Sequence, residues 1–264
     1  MHIDILGTIS VDVNGKRVGL RAGKLRAMLA TLTLDAGHAV SYTDLADELW
    51  SGGPLGNTRN ALQAHATRLR KIMEGPDRAS GATVLRTAHN GYVLDVPREC
   101  IDGDRFLDLA GQGSAALRDR PERALHLLRA ALALWRGPAL LDAGDGLRCR
   151  GAAALFEERR LTVWEDVVSA LLATGDARRA VAELRRLVAR HPLRERFCEQ
   201  LMVALYRSGQ QGDALELFAH TRQRFDEELG VAPGLSLRRR HAEILAHDPG
   251  LSLPSALMPA RSII

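Results

Sequence analysis

The segment that most constrains the fold is residues 57–73, which read NTRNALQAHATRLRKIM. Apolar side chains recur in this segment at the spacing of one helix face. They predict a core-facing stripe made of Leu62, Ala66, Leu69 and Met73, with Ile72 beside it. The opposite face carries small and polar residues, then cations, and no Asp or Glu. The segment therefore predicts one amphipathic helix whose outward face is neutral or positive.

That outward face has a composition suited to the major groove of DNA. Short side chains let a helix approach the groove, and amide or guanidinium groups can bond base edges. The residues at the centre of the face are Asn60, Ala64, Thr67 and Lys71, flanked by Gln63 and Arg68. The alternative is a solvated helix face with a C-terminal cation cluster that complements the helix dipole. The helix alone leaves both interpretations open.

Positive charge is concentrated on this one helix. Residues 1–97 hold eleven Lys or Arg and nine Asp or Glu, a net charge of +2. Residues 57–73 alone hold four cations and no acid, a net charge of +4. Such focusing is the electrostatic pattern of an element that binds phosphate.

The segments around the helix predict a small α+β domain. Residues 3–13 alternate apolar and polar side chains, which predicts one or two half-buried strands. Asn14 and Gly15 follow, and this pair predicts a type I′ hairpin turn. The remaining predicted elements are a helix at 23–34, a short strand at 40–42, a helix at 43–50, a loop at 51–56, the helix at 57–73 and a hairpin at 84–96. This order predicts a winged helix-turn-helix with an extra N-terminal sheet, in which the third helix is the recognition helix.

Several cations outside the recognition helix also point to a phosphate partner. Lys24 and Arg26 lie near the start of the first helix, where positive charge opposes the helix dipole, and a nearby phosphate would explain them. The predicted DNA-binding residues are Lys24, Arg26, Arg59, Asn60, Gln63, Ala64, His65, Thr67, Arg68, Arg70, Lys71, Arg86, His89 and Asn90. Two interpretations of His65 have equal weight: its side chain contacts a phosphate, or it only completes the flank of the helix.

This domain resembles the DNA-binding domain of OmpR-type response regulators. The resemblance is carried by residues 62–71 (LQAHATRLRK) and by a hairpin that ends in residues 91–94 (GYVL). It implies a loop that contacts RNA polymerase, at Ser51, Gly52, Gly53, Pro54, Leu55 and Gly56. The Gly and Pro content of this loop fits equally well a turn that only joins two helices. No receiver domain is expected before it, because the domain pattern starts at residue 3. Wings of this type often carry Arg three residues before the Gly-Tyr pair; Ala88 stands there, which leaves Arg86 and His89 as candidates.

The second half of the chain is predicted to be all helical, with helices at 104–117, 121–135, 147–174, 176–190, 193–208, 211–229 and 233–246. Four positions match at an offset of 34, three of them with the same residue, and this is the spacing of tetratricopeptide (TPR) helix pairs. The matched pairs are Leu171 with Leu205, Gly175 with Gly209, Ala180 with Ala214, and Leu184 with Phe218. A TPR-like array predicts a surface for protein binding or self-association.

Three motifs in this half resemble the bacterial transcriptional activation domain: residues 129–140 (RAALALWRGPAL), 204–215 (ALYRSGQQGDAL) and 227–233 (EELGVAP). Together with the OmpR-type domain they resemble, over residues 2–248, the SARP family, the Streptomyces antibiotic regulatory proteins. The resemblance implies an activator of a secondary-metabolite (antibiotic) gene cluster. It implies binding to direct repeats in double-stranded promoter DNA, as a homodimer on DNA, and recruitment of RNA polymerase holoenzyme with its sigma factor. Larger members append an ATPase domain; this sequence has no phosphate-loop motif, so a small stand-alone member is expected.

The expected division is a winged-helix domain at 1–97, a helical activation domain at 98–248 and a disordered tail at 249–264. Asp142, Asp145 and the pair Glu157 and Glu158 are the candidates for acid–base catalysis, but no enzyme motif accompanies them and surface or turn positions explain them better. Trp135 and Trp164 fit a helix-bundle core better than a ligand platform.

Cys100, Cys149 and Cys198 lack metal-ligand spacing and fit reduced thiols. No cofactor or metal is expected. The sequence has neither an apolar run of ~18 residues nor a secretory leader, so no membrane partner is expected either. The expected location is the cytoplasm, in association with the nucleoid. Two function classes remain: a DNA-binding activator, and a helical-repeat adaptor that docks protein without sequence-specific DNA binding.

Overall fold

The computed structural model describes residues 1–50, 58–74 and 84–252. The chain divides into two compact units. The N-terminal unit consists of Met1–Leu109 and Ala130–Arg160, and the C-terminal unit of Ala110–Arg129 with the chain from Leu161 onward. Within the described residues, no helix has the length and hydropathy needed to cross a membrane.

The N-terminal unit begins with a three-stranded antiparallel sheet. Its strands are β1 (His2–Asp4), β2 (Ser10–Val13) and β3 (Lys16–Gly19), in that order across the sheet. Asn14 and Gly15 join β2 to β3 with φ values of 53° and 77°. Positive φ at both positions is the requirement of a type I′ turn, so the predicted hairpin is confirmed.

The winged helix-turn-helix follows this sheet, as the sequence predicts. It consists of α1 (Gly23–Leu34), β4 (Ala39–Ser41), α2 (Tyr42–Trp50), α3 (Thr58–Glu74), β5 (Leu85–Ala88) and β6 (Gly91–Leu94). The three strands form a second antiparallel sheet in the order β4-β6-β5, and β5 with β6 is the wing. Gly91 allows this pairing, because a Cβ at that position would lie 1.9 Å from the carbonyl oxygen of Val40.

The core of the winged helix is built from the apolar stripe of α3. Leu62, Ala66, Leu69 and Met73 are each at most 4% exposed. They belong to one hydrophobic cluster with residues of α1, α2 and the wing, including Met28, Leu45 and Leu85. Burial of this stripe fixes the rotation of α3 and turns its polar face outward.

The helical part of the chain has α4 (Asp102–Ala116), α5 (Pro121–Ala133), α6 (Leu147–Ala173), α7 (Ala177–Arg190), α8 (Glu195–Arg207), α9 (Gln211–Leu229) and α10 (Leu235–Leu245). Short 3-10 helices occupy Arg98–Cys100 and Pro249–Ser252.

The 34-residue repeat corresponds to two helix pairs of the C-terminal unit. Gly175 and Gly209 make the turns before α7 and α9 with φ values of 82° and 78°. Ala180 and Ala214 are fully buried where neighbouring helices pack closely. The α+β winged helix followed by a TPR-like helical domain is confirmed.

The compact units differ from the predicted division at residue 97. Residues 98–109 and 130–160 group with the winged helix, and carboxylates of these segments accept backbone N–H groups from the connection between β1 and β2. Asp102 accepts the backbone N–H groups of Ile5 at 2.7 Å and Leu6 at 3.1 Å, and Asp142 accepts that of Ile9 at 2.9 Å. The carboxylates and the N–H groups that they accept are far apart in the sequence. The change in composition near residue 97 therefore does not reveal these bonds.

The start of the predicted disordered tail is also different. Pro249–Ser252 form a 3-10 helix in which Leu251 is 1% exposed. Arg207 donates to the carbonyl oxygen of Leu251 at 2.7 Å, which fixes this turn on α8. The rest of the predicted tail, 253–264, lies outside the described residues.

Candidate nucleic-acid interface

The outward face of α3 is exposed along its length, as the sequence predicts. Its exposed residues are Arg59, Asn60, Gln63, Ala64, Thr67, Arg68 and Lys71. The Thr67 hydroxyl donates to the carbonyl oxygen of Gln63 at 2.9 Å, one turn earlier. The face therefore combines amide, guanidinium and ammonium donors with one small Ala64 and no acidic group.

Two arginines of α3 lie on a pair of tyrosines beneath this face. The Arg59 guanidinium is 4.9 Å from the ring centre of Tyr42, and that of Arg70 is 5.7 Å from the ring centre of Tyr92. The two rings meet edge to face at 5.4 Å. Cation–π contacts of this kind hold guanidinium groups in place. Burial raises the pKa of Tyr92, so its phenol is protonated at neutral pH.

Arg70 joins the recognition helix to the wing. Its Nε donates to the carbonyl oxygen of Leu85 and its Nη2 donates to Thr87 Oγ1, both at 2.8 Å. The sequence places Arg70 among the DNA contacts, but in the structure its guanidinium is bound by the hairpin. The sequence analysis does not predict Tyr42 or Thr87 as a partner of α3. The Gly-Tyr pair at 91–92 is the part of this contact that the sequence indicates, as the end of the hairpin.

The cations at the start of α1 also have partners within the protein. Arg26 pairs with Asp142 at 2.9 Å and donates to the carbonyl oxygen of Leu20 at 2.7 Å. Lys24 donates its Nζ proton to the carbonyl oxygen of Leu49. Asp142, 116 residues away, supplies the counter-charge of Arg26, so the position of Arg26 at the helix start is explained without a phosphate. Contact of Lys24 and Arg26 with DNA stays a prediction.

His65 lies on the flank of α3, half buried. Its ring stacks on Trp50 with centroids 6.3 Å apart and an angle of 24° between planes. Burial, with a smaller effect of Arg68, lowers the pKa of His65 from its ordinary value, which favours the neutral ring. Within the described part of the chain, its buried Nδ1 has no hydrogen-bond partner. A neutral ring packed on Trp50 favours the helix-flank interpretation over a phosphate contact.

The tip of the wing presents polar groups. His89 and Asn90 are exposed, and the carbonyl oxygen of Asn90 accepts the backbone N–H of Tyr42 at 2.9 Å. Arg86 pairs with Asp95 at 3.1 Å, with both side chains more than half exposed. Exposed pairs of this kind are weak, so Arg86 keeps its capacity to bind an anion.

Other predicted sites have different outcomes. The predicted polymerase loop, residues 51–56, lies outside the described residues. Trp135 is buried and packs edge to face on Phe106 at 5.3 Å, which confirms a core position. Asp142 serves as the partner of Arg26, and Glu157 accepts the backbone N–H of Ala139 at 3.0 Å. Among residues 1–50, 58–74 and 84–252, no group of three or more His, Cys, Asp or Glu is placed to hold a metal ion.

Comparison with family models identifies both parts of the chain. The model described as "Transcriptional regulatory protein, C terminal" matches residues 16–94. The model described as "Bacterial transcriptional activator domain" matches residues 101–245. The two matches occur in the order in which the winged helix and the helical domain are found.

Two curated proteins are similar over nearly the whole chain. Transcriptional regulator RedD of Streptomyces coelicolor is 57% identical over 260 residues, covering 97% of this chain and 74% of its own length. Regulatory protein DnrI of Streptomyces peucetius is 36% identical over 272 residues, covering 100% of this chain and 99% of its own. Among solved structures, Mycobacterium tuberculosis EmbR is 31% identical with a TM-score of 0.88, over 94% of this chain and 65% of EmbR.

Proposed function

The chain belongs to the SARP family of transcriptional regulators, the Streptomyces antibiotic regulatory proteins, and on that premise we propose that it is a sequence-specific DNA-binding activator. The observation that carries the proposal is the outward face of α3. It is exposed, it contains no acid, and it projects from a winged helix whose core fixes its orientation. Such a face can enter the major groove.

The side chains of this face have different roles in the proposal. Arg68 is assigned to base readout, because an exposed guanidinium can bond guanine bidentately. Asn60 and Gln63 are assigned to the same task, since an amide can bond adenine bidentately. Lys71 is a point charge near the end of the helix and is assigned to a phosphate. His89 and Asn90 at the wing tip contact the backbone or the adjacent groove.

Arg70 and Arg26 have a supporting role in the proposal. Their guanidinium groups are bound by the wing and by Asp142, so they hold α3 and α1 in place for DNA binding. Base specificity is then expected to follow the exposed residues of α3, whereas these two arginines affect all sequences alike.

Resemblance to the SARP family supports a more specific proposal. The operator is a direct repeat near a promoter, occupied by two copies of the chain, and the regulated genes form a secondary-metabolite cluster. Activation proceeds by recruitment of RNA polymerase holoenzyme with its sigma factor. The OmpR-type resemblance supports residues 51–56 as that contact, and the TPR-like helices offer a further surface for protein binding.

The test selects duplexes from a random-sequence pool with the full chain and measures their affinity over a range of salt concentrations. We expect an enriched duplex that contains a direct repeat. It should bind at least about 10³-fold more tightly than a scrambled duplex, and its affinity should fall steeply with salt. A pool that yields no enriched sequence would reject sequence-specific binding and favour the adaptor function.

A further inference from the structure

The solvent-exposed surface of α7 consists of arginine and alanine alone. Seven of its fourteen residues are exposed, and these are five arginines and two alanines. The exposed residues are Arg178, Arg179, Ala182, Arg185, Arg186, Ala189 and Arg190. We call these seven residues the α7 arginine face.

Helix stability does not account for the arginines at the start of α7. The helix begins after Asp176, whose carboxylate accepts the backbone N–H of Arg179 at 3.2 Å. Arg178 and Arg179 thus lie in the first turn, where a positive charge opposes the helix dipole. Within the described residues, neither guanidinium has an ion-pair partner, in contrast to Arg26 at the start of α1.

The other arginines of the face are available to an anion as well. Arg185 pairs with Asp213 at 3.2 Å, but both side chains are at least half exposed. Arg186 pairs with Glu183 at 3.1 Å and lies 5.2 Å from the ring centre of Trp164. The exposed pair of Arg185 is worth little and exchanges readily for a stronger anion, and the Arg186 side chain is itself 49% exposed. Arg190 is exposed at the C-terminal end of the helix.

The geometry of the face suits a linear polyanion. Residues 178 and 190 are twelve positions apart, which is about 18 Å along a helix. Each strand of duplex DNA carries one phosphate per about 3.4 Å of axis, so several phosphates lie within this length. Ala182 and Ala189 lie between the arginines and are small enough to let a sugar–phosphate chain approach the helix.

We propose that the α7 arginine face binds the phosphate backbone of duplex DNA without reading its sequence. The proposal rests on the DNA-binding function above and adds a second, sequence-independent contact from the helical domain. Planar guanidinium groups bind phosphate oxygens bidentately. An acidic protein surface fits less well, because protein interfaces have large apolar or aromatic residues at their centre, and this face has none.

The test compares two triple variants of the full chain. Arg178→Ala/Arg179→Ala/Arg190→Ala removes three cations from the face. The control, Arg123→Ala/Arg222→Ala/Arg238→Ala, removes three exposed cations from α5, α9 and α10. Alanine is the strongest helix former. Loss of Arg178 and Arg179 also removes an unfavourable interaction of positive charge with the helix dipole, so both variants are expected to fold. Circular dichroism checks this.

The readout is the slope of log affinity against log salt, on the enriched duplex and on its scrambled form. Each lost phosphate contact reduces the slope by about 0.9, so the α7 variant should lose up to about 2.7 on both duplexes. The ratio of the two affinities should stay at the wild-type value, because phosphate contacts carry no sequence information. The control variant should keep the wild-type slope.

Equal slopes for the α7 variant, the control and the wild type would overturn the inference. So would unchanged DNA binding with lost transcription, which would assign the face to an acidic protein partner. If the wild type binds both duplexes equally and the α7 variant still loses slope, the sequence-specific function fails while the inference stands. If the wild type binds neither duplex, both fail.

Discussion

The carboxylate of Glu48 on α2 accepts the backbone N–H of Cys149 at 2.8 Å, although the two residues are 101 positions apart. Its second oxygen accepts the N–H of Arg148 at 3.0 Å. Because α6 begins at Leu147, these N–H groups belong to its first turn and have no partner within the helix. A side chain of the helix-turn-helix thus caps a helix of the activation domain.

Removal of this cap should destabilise the protein. Glu48 is 7% exposed, so Glu48→Ala leaves the buried N–H of Cys149 and the partly buried N–H of Arg148 unpaired and should lower the unfolding free energy by about 2 kcal/mol. Glu48→Gln keeps one acceptor oxygen, so its unfolding free energy should lie between those of the wild type and Glu48→Ala. Urea denaturation of the full chain measures both. Asp47→Ala, an exposed carboxylate on the same helix, should change stability by less than about 0.5 kcal/mol. Equal loss in Glu48→Ala and Asp47→Ala would contradict the capping role.

Arg70 should act on DNA affinity through the wing. Arg70→Ala removes the donors to Leu85 and Thr87 and should cost about 1–3 kcal/mol of stability. Affinity for the enriched and scrambled duplexes should fall by the same factor, because the position of α3 is disturbed rather than one base contact. Arg86→Ala, which removes an exposed ion pair, should cost at most about 1 kcal/mol. A loss of affinity confined to one base-pair position would show instead that Arg70 reads DNA.

Arg68 and Lys71 should separate base readout from phosphate binding. Arg68→Ala should weaken binding to the enriched duplex by about 1–3 kcal/mol and relax preference at one base pair. Lys71→Ala should weaken all duplexes about equally and reduce the salt slope by about one. Affinity measured on a set of single-base-pair variants tests both. Uniform loss in both variants would reject the assignment of Arg68 to a base.

The sequence predicted features that depend on local spacing. Asn14 and Gly15 predicted their hairpin because a type I′ turn needs both residues in positive φ. The buried stripe and exposed face of α3 followed from the period of its apolar residues. The repeat around Gly175 and Gly209 followed from matching residues at one offset. In each case the residues that determine the structure are neighbours along the chain or recur at a fixed period.

Pairings between distant residues were beyond the reach of the sequence. Arg26 is paired with Asp142, and Arg70 is bound by Thr87, so two predicted DNA contacts have partners within the protein. No periodicity links such residues, because the partner is set by how the elements pack. Glu48 caps α6, and nothing in the sequence around Glu48 indicates this role, because it depends on where α6 begins.

The thiol of Cys149 should be inert in the native protein. Burial raises its pKa to about 12, although the Thr31 hydroxyl beside it acts in the opposite direction. A thiol reagent at pH 8 should therefore modify half-buried Cys100 first and Cys149 only on unfolding. Labelling of Cys149 at the rate of the urea-unfolded chain would contradict this prediction.

The same raised pKa makes the stability of the protein depend on pH. The folded state disfavours the Cys149 thiolate, so the unfolding free energy should fall as pH rises from about 9 toward 12. Cys149→Ala should remove that pH dependence.

Two copies of the chain should bind the direct repeat side by side and in the same orientation. Their α3 helices then enter the major groove on one face of the duplex, which requires repeat centres about one helical turn, ~10 bp, apart. Insertion of five base pairs between the repeats rotates one site by about half a turn and moves the second α3 to the opposite face. Each repeat should still bind one copy, but binding of the second should no longer be helped by the first, and activation should be lost. Footprinting and transcription on the same templates measure this, with a five-base-pair insertion upstream of both repeats as the control for binding. Paired binding and activation that survive the insertion between the repeats would rule out the side-by-side arrangement, even if the base contacts of α3 are as proposed.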